Sequence, residues 1–307
     1  MSEHLPVVAI NGPTASGKTG VSVSLALELG RRGIGAEIVN ADSMLVYRGM
    51  DIGTAKPTVE ERQGVPHHLI DIMDVTQTAS VAEFQILARA AIGDCQSRSV
   101  VPLLVGGSAL YVHAIVDEFA FPPTDPDVRA KYEQRLEQIG SQALWEELHA
   151  IDPKAAAGIL PGNGRRIVRA LEALELTGEF TSELPEPEYH FENVLQYGLG
   201  IERAELDARI EARVEKMWAD GFVEEVKGLL PGIKEGKTAS RAIGYRQILA
   251  FLDGEVTEAE AKEQTIVKTR QFSRKQLAWF RRDPRIVWGE RSAAKIADQI
   301  ERELNAS

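Results

Sequence analysis

The sequence predicts an α/β fold: a parallel β-sheet wound with helices and interrupted by an all-helical insertion. Three observations lead there. An apolar run, Val7–Ile10, breaks into a glycine-rich loop and then a helix. A second apolar run, VVPLLV at Val100–Val105, is continuous rather than alternating, as expected of a strand covered on both faces. Strand and helix patterns alternate as far as Pro122, after which no strand candidate appears until Val194.

The elements follow in chain order. Gly20–Leu29 has helical spacing, with Val21, Leu25 and Leu29 on one face. Ala36–Asn40 reads as a strand ending at Asp42-Ser43, and His67–Ile72 as a short third strand. Ser80–Ala91 is an amphipathic helix with Ser80 as N-cap and Phe84, Leu87 and Ala91 facing inward. Val100–Val105 ends in Gly106-Gly107-Ser108, and a helix begins near Ala109. Asp125-Pro126 and Asp152-Pro153 each set a capping acid before a first-turn proline, Ser141 offers a further cap, and Gly178 follows a helical run. Roughly 123–178 is therefore helical, and Glu179–Glu192, rich in Pro and Glu, is a linker or exposed loop. Val194–Ile201 restores a strand. Helices follow over Leu206–Gly221, Phe222–Leu230, Arg241–Leu252 and Ala261–Arg282, then a short strand, Ile286–Trp288. The expected domains are a core of residues 1–122 and 192–307 and an insertion of residues 123–191. On such a sheet ligands sit at the carboxyl ends of the strands, so the loops at Gly12–Thr19, Asn40–Ser43 and Gly106–Ser108 should converge on one crevice.

Length and composition set the class. The 307 residues, with 44% hydrophobic and 26% charged side chains, suffice for a large globular core. No apolar run reaches membrane-spanning length and the first residues lack the pattern of a signal peptide, so a cytoplasmic protein is expected. The single cysteine, Cys95, excludes an internal disulfide and a cysteine-rich zinc site, and reads as a small semi-buried residue late in a helix. The histidines show no metal-ligand spacing. A net charge of −11 taken alone argues against a nucleic-acid partner. Its distribution argues otherwise: between Thr265 and Arg282 there is no acid, while Arg270, Arg274 and Arg281 form one line and Lys268, Lys275 and Arg282 another. Arg165, Arg166 and Arg169 cluster on an insertion helix beside Ile167, Leu171 and Leu174. Two basic helices in an acidic protein favour a polyanion partner.

The glycine-rich loop carries the chemistry. Gly12-Pro13-Thr14-Ala15-Ser16-Gly17-Lys18-Thr19 fits G-x-x-x-x-G-K-[ST] in the required strand-to-helix context, which makes the fold P-loop NTPase-like. Glycines let backbone N–H groups turn toward phosphate oxygens, the following helix adds its positive end, Lys18 supplies a mobile charge and the Thr19 hydroxyl can ligate Mg²⁺. Asp42, just past the second strand, can accept a proton from an acceptor nucleophile. The strand Val100–Val105 has no acid at its tip, unlike motor or switch NTPases. Arg241, with Gly244, Tyr245 and Arg246, forms a further candidate group, since an arginine near the loop can offset charge on a leaving group. The loop does not settle which molecule brings the phosphate. A small-molecule kinase, with ATP on the loop and Asp42 as base for an acceptor hydroxyl, is one reading.

Taken together the residues resemble the bacterial type of the tRNA dimethylallyltransferase (tRNA isopentenyltransferase) family. The matching stretches are GPTASGKT (Gly12–Thr19), NADSMLVYRGMDIGTAKP (Asn40–Pro57), PHHLID (Pro66–Asp71), LLVGGSALY (Leu103–Tyr111), RRIVRALE (Arg165–Glu172), RAIGYRQ (Arg241–Gln247) and TRQFSRKQLAWFRR (Thr269–Arg282). The resemblance implies transfer of a dimethylallyl group from dimethylallyl diphosphate to the exocyclic amine of the adenosine that follows the anticodon in tRNA, with release of pyrophosphate and Mg²⁺ as cofactor. It implies Asp42 as general base, and Thr19 and Arg241 on the diphosphate. It also implies tRNA contacts at Asp42, Ser43, Met44, Leu45, Ser108, Arg129, Arg165, Arg166, Ile167, Val168, Arg169, Arg241, Gly244, Tyr245, Arg246, Arg274, Lys275, Gln276 and Arg281. A monomer is expected. Many members carry Gln at the position of Leu45 and Thr at that of Ser108: the first departure removes a polar contact and the second keeps the hydroxyl.

Overall fold

A computed structural model describes residues 5–181 and 185–306. Part of the predicted linker, residues 182–184, lies outside them. The elements are β1 (Val7–Asn11), α1 (Lys18–Arg31), β2 (Gly35–Asn40), α2 (Val59–Arg62), β3 (His67–His68), α3 (Val81–Ser97), β4 (Val100–Gly106), α4 (Ala109–Val116), α5 (Pro126–Ile151), α6 (Pro153–Ala157), α7 (Gly164–Thr177), β5 (Val194–Gly198), α8 (Arg203–Ala219), α9 (Phe222–Gly228), α10 (Gly232–Glu235), α11 (Tyr245–Leu252), α12 (Glu258–Phe280), β6 (Val287–Trp288) and α13 (Ala293–Ala306). The chain divides into two compact units, Met1–Asp117 with Tyr189–Ser307, and Glu118–Glu188. These bounds fall a few residues before 123 and 191, because Asp117 and Tyr189 bridge to each other within the first unit.

In the first unit six parallel strands lie in the order β3-β2-β4-β1-β5-β6. Alternate residues of β1 serve opposite faces, as strand geometry requires: Val7 and Ala9 join one apolar cluster with Phe84, Ile115, Phe222 and Tyr245, while Val8 and Ile10 join another with Leu25, Leu29, Leu103 and Ile300. The second cluster needs α13, a helix that the sequence reading did not anticipate. Its Ile296, Ala297 and Ile300 are buried there, and Arg32 at the end of α1 pairs with Asp298 and Glu301.

Four expectations need correction. The third strand is two residues long, because Leu69 and Asp71 adopt left-handed backbone (φ +62° and +56°); Asn40 Nδ2 holds the Leu69 carbonyl and Lys56 Nζ the Asp71 carboxylate. In α3 the buried stripe is Phe84, Ala88, Ile92 and Cys95, and Leu87 faces solvent at 45% exposure. Cys95 is thus fully buried rather than semi-buried. The helix expected from Arg241 starts only at Tyr245, because Gly244 (φ +91°) separates it from a single 3-10 turn at Ala239–Arg241.

The second unit has helices and connecting loops and no strand among its described residues. Asp125 caps α5 through the N–H groups of Asp127 and Val128, Asp152 caps α6 through that of Ala155, and Gly178 ends α7 in the left-handed conformation. The α5 run is broken at Gly140 (φ +79°), one residue before Ser141. Leu144, Leu148, Ile159, Ile167, Val168 and Leu171 form its core. Within it Glu172, fully buried, accepts from Thr124 Oγ1 (2.6 Å), the Asp125 N–H (3.0 Å), Arg129 (2.6 Å) and Arg169 (2.8 Å). Burial alone would raise this carboxyl; Arg129, Thr124, Arg169 and the Asp125 N–H outweigh it and hold it at about 2. Glu172→Ala strips two guanidinium groups of their shared partner and is expected to destabilise the unit by about 3–5 kcal/mol in denaturant unfolding. With the folded carboxyl held below its usual 4.5, the wild-type advantage should be present above that pH and vanish as pH falls through about 2. An advantage undiminished at pH 2 would contradict the account.

Candidate active site

The loops after β1, β2 and β4 meet at the carboxyl ends of their strands. The turn after β1 reverses at Gly17, whose φ of +91° suits glycine, and delivers Lys18 as the first residue of α1. Lys18 Nζ donates to the Gly12 (2.9 Å) and Pro13 (2.8 Å) carbonyls, and the Thr14 N–H donates to Gln276 Oε1 at 2.9 Å. Ser16 Oγ is buried inside the same loop, with no hydrogen-bond partner among the described residues. Past β2, Asp42 Oδ1 accepts the Met44 N–H (2.9 Å), while the Asp42 N–H donates to Asn40 Oδ1 (2.8 Å). These two bonds fix where the carboxylate stands.

Two cavities adjoin here. One, of about 370 Å³, is lined by Thr14, Ala15, Gly17, Lys18, Thr19, Asp42, Leu45, Gly106, Arg209 and Arg213 among others. The other, of about 350 Å³, is walled by Met44, Val214, Met217, Phe222, Ala242, Ile243, Tyr245 and Phe272, with Ser43, Ser108, Arg241 and Gln276 among its polar groups. Thr14, Asp42, Thr54 and Arg213 line both and stand at the junction. The first suits a phosphate chain and the second an apolar group.

Arg213, like Arg209, lines the phosphate cavity and was not singled out from the sequence. It lies on α8 between the buried Ile210, Val214 and Met217, so the helical phase turns it inward, and a basic residue on an apolar stripe was the available signal. Its Nη2 donates to the Thr54 carbonyl at 3.1 Å. Burial lowers its pKa, and Asp42 opposes that effect. Burial likewise pulls Lys18 down to about 8, with Asp42 opposing and Arg213 adding to the shift. Both cations are desolvated and both feel the Asp42 carboxylate, an arrangement suited to an anion.

The other predicted residues scatter. Arg241 lines the apolar cavity, and the arginines that line the phosphate cavity are Arg209 and Arg213. Ile167 and Val168 are buried in the helical core, and Arg129 and Arg169 are engaged by Glu172, which leaves Arg165 and Arg166 as the exposed members of that group. Tyr245 is fully buried and Gly244 packs against Phe222, while Arg246 is exposed. Gln276 is buried against the phosphate loop. On α12 the missing acids come from α8: Arg270 pairs with Glu211 at 2.6 Å and Arg274 with Asp207 at 3.0 Å. Exposed Lys268, Lys275, Arg281 and Arg282 have no ion pair among the described residues.

Away from the site, Glu37, His68 and Cys95 come within metal-ligand reach of one another, a grouping that the spacing of the histidines did not reveal. Arg98 forks the Glu37 carboxylate at 2.8 and 2.7 Å and holds its pKa at about 2, and burial beside Glu37 pushes the Cys95 thiol to about 12. The cluster is a closed ion-pair network as it stands.

A glycine-rich turn of phosphate-loop sequence beside an apolar cavity, with Asp42 lining both cavities, places the chain among α/β proteins of the phosphate-loop type. Residues 45–283 match the sequence profile of the family described as IPP transferase. The tRNA dimethylallyltransferase of Cutibacterium acnes is 53% identical over 97% of this chain and 93% of its own length, and that of Kineococcus radiotolerans 58% over 93% and 90%. The solved tRNA isopentenylpyrophosphate transferase of Bacillus halodurans is similar at a TM-score of 0.72 and 41% identity, covering 98% of this chain and 97% of that one. A eukaryotic dimethylallyltransferase acting on tRNA, at TM-score 0.75 and 24% identity over 98% and 77% of the two chains, shares the fold. The chain belongs to the IPP transferase family. Among its described residues no helix is long and apolar enough to cross a membrane.

The lowered Lys18 pKa yields a signed expectation. Below about pH 8 the ammonium is already charged in the free protein, and above it pyrophosphate must bind together with a proton. Pyrophosphate affinity should fall about tenfold per pH unit above that point, with proton uptake in calorimetry. Lys18→Met should abolish the uptake, and uptake that persists would show that another group titrates.

Proposed function

We propose that the protein transfers a dimethylallyl group from dimethylallyl diphosphate to the exocyclic amine (N6) of the adenosine that follows the anticodon in tRNA, releasing pyrophosphate, and that it acts as a monomer in the cytoplasm. The observation that carries the reading is the junction of the two cavities at Asp42 and Arg213. A prenyl diphosphate is anionic at one end and apolar at the other, and the bond to be broken separates the two halves.

The chemistry follows from that placement. An aromatic exocyclic amine is a poor nucleophile because its lone pair is delocalised into the ring. As its nitrogen bonds to the prenyl carbon, the carbon–oxygen bond to the diphosphate breaks, the electron pair leaves with pyrophosphate, and the amine proton passes to Asp42. Charge growing on the leaving oxygens is offset by Lys18 and Arg213, whose partial burial strengthens the interaction. The target base must leave its stack to reach this point. Mg²⁺ fits the donors present: the exposed Thr19 hydroxyl lines the phosphate cavity and is a hard oxygen ligand, so it would hold the ion, directly or through water, and the ion when bound would neutralise diphosphate charge. For tRNA, exposed Lys268, Lys275, Arg281 and Arg282 on and just after α12, and Arg165 and Arg166 on α7, offer cations to backbone phosphates.

Incubation with labelled dimethylallyl diphosphate and Mg²⁺, and either tRNA or AMP, should place label in tRNA only. Label in AMP, or phosphate passed from ATP to a metabolite without prenyl transfer, would refute the proposal. Asp42→Ala is expected to lower turnover about 10²- to 10⁴-fold while tRNA still binds; an unchanged rate would remove Asp42 from the role of base. Lys275→Ala and Arg281→Ala should each weaken tRNA binding and reduce its salt slope by about one, whereas Arg274→Ala, which loses the Asp207 pair, should change the slope less. Equal slopes for wild type and all three variants would place the nucleic acid elsewhere.

A further inference from the structure

Glu225, on α9, is half-buried and accepts four hydrogen bonds. Its Oε2 takes the backbone N–H groups of Asp51 (2.9 Å) and Ile52 (2.6 Å), and its Oε1 takes the Gly53 N–H (3.2 Å) and the Tyr245 hydroxyl (2.6 Å). Three successive N–H groups aimed at one anion form a nest, and here the protein supplies the anion itself. The turn that donates them is closed on its other side: Ala55 N–H bonds the Ile52 carbonyl (3.0 Å), Lys56 N–H the Asp51 carbonyl (2.9 Å) and Thr54 Oγ1 the Met50 carbonyl (2.6 Å). Gly53 lies flat against two rings. A Cβ there would fall 2.2 Å from Phe222 and 2.6 Å from Tyr245, so the turn cannot move toward them, and the carboxylate stops it from moving away.

The product of this clamp is the position of one carbonyl. Thr54 follows the clamped residues directly, and its oxygen accepts Arg213 Nη2 at 3.1 Å where the two cavities meet. A guanidinium on a long side chain has many rotamers, and a fixed acceptor on one of its nitrogens selects among them.

We propose that Glu225 is a positioning residue for Arg213: by clamping the turn at Asp51–Gly53 it holds the Thr54 carbonyl that aims the guanidinium at the phosphate cavity. The inference rests on the reading of Arg213 as a partner of the leaving diphosphate. Its consequence is coupling between two residues that do not touch the same ligand. Removing the clamp should harm turnover only while Arg213 is there to be aimed.

The test is a double-mutant cycle read in kcat, with tRNA affinity and melting temperature measured on every variant. Glu225→Gln keeps the side-chain volume but sets an amide –NH₂ against a cluster of donors. In the wild-type background it should lower kcat about 10- to 100-fold, since a misplacement near 1 Å can cost that much, with tRNA affinity within about twofold of wild type. In the Arg213→Ala background the same change should lower kcat by less than about twofold. If Glu225→Gln does not fold, Glu225→Asp, which keeps the charge and shortens the reach, carries the same cycle. Arg213→Ala with wild-type kcat would overturn the reading of Arg213 and the inference with it. A crippled Arg213→Ala in which the Glu225 change still exacts its full factor would overturn the inference alone, as would a lowered melting temperature with kcat intact.

Discussion

Two partly desolvated cations and one carboxylate at the ends of parallel strands set the terms for the rest of the molecule. Lys18 can stay in that position only because the Gly12 and Pro13 carbonyls receive its ammonium, and Arg213 because the Thr54 carbonyl receives its guanidinium. Neither carbonyl contact cancels the charge. Asp42 offsets part of it, and its Oδ1 is already engaged with the Met44 N–H. The site as folded carries an excess of positive charge beside an apolar chamber, and an anion joined to an apolar chain relieves both conditions at once.

Much of the remaining structure serves to hold these groups. The β1–β4 and β1–β5 pairings bury the first strand on both sides and fix where its loop emerges. Gln276 reaches from α12 to the Thr14 N–H, so the helix that carries the exposed cations also braces the phosphate loop. Helix α8 has two faces with opposite uses. Its inward stripe sends Arg213 to the cavity junction, and its outward acids, Asp207 and Glu211, neutralise Arg274 and Arg270. This division splits the basic residues of α12 into a structural pair and a solvent-facing set. An acidic protein thereby keeps a basic surface for a polyanion.

The part of this that a single sequence reveals is local. The phosphate loop is legible because bending a backbone around phosphate needs glycines at set intervals, and the helix caps of the second unit because Asp before Pro has a direct steric and electrostatic meaning at a helix start. The phase of α3 was not legible: Leu87 and Ala88 both satisfy a helical repeat, and the neighbours against which the helix packs chose Ala88. The third strand failed for a similar reason. HHLIDI has strand propensity, but Lys56 and Asn40 pull Asp71 and Leu69 into a turn, and both lie more than ten residues away in the chain. Helix α13 escaped notice because its apolar stripe has meaning only against α1.

The sequence by itself determined the class of sheet, the anion-binding loop, Asp42 beside it and the helical nature of the insertion, since each follows from short-range spacing. Tertiary structure alone decided which arginines line the phosphate cavity, which cations of α12 have no ion pair among the described residues and which residues of α7 are core. Those outcomes depend on partners distant in the chain, such as Thr54 for Arg213 and Asp207 for Arg274. A charge declares its type in the sequence, but its counter-charge is chosen by the fold.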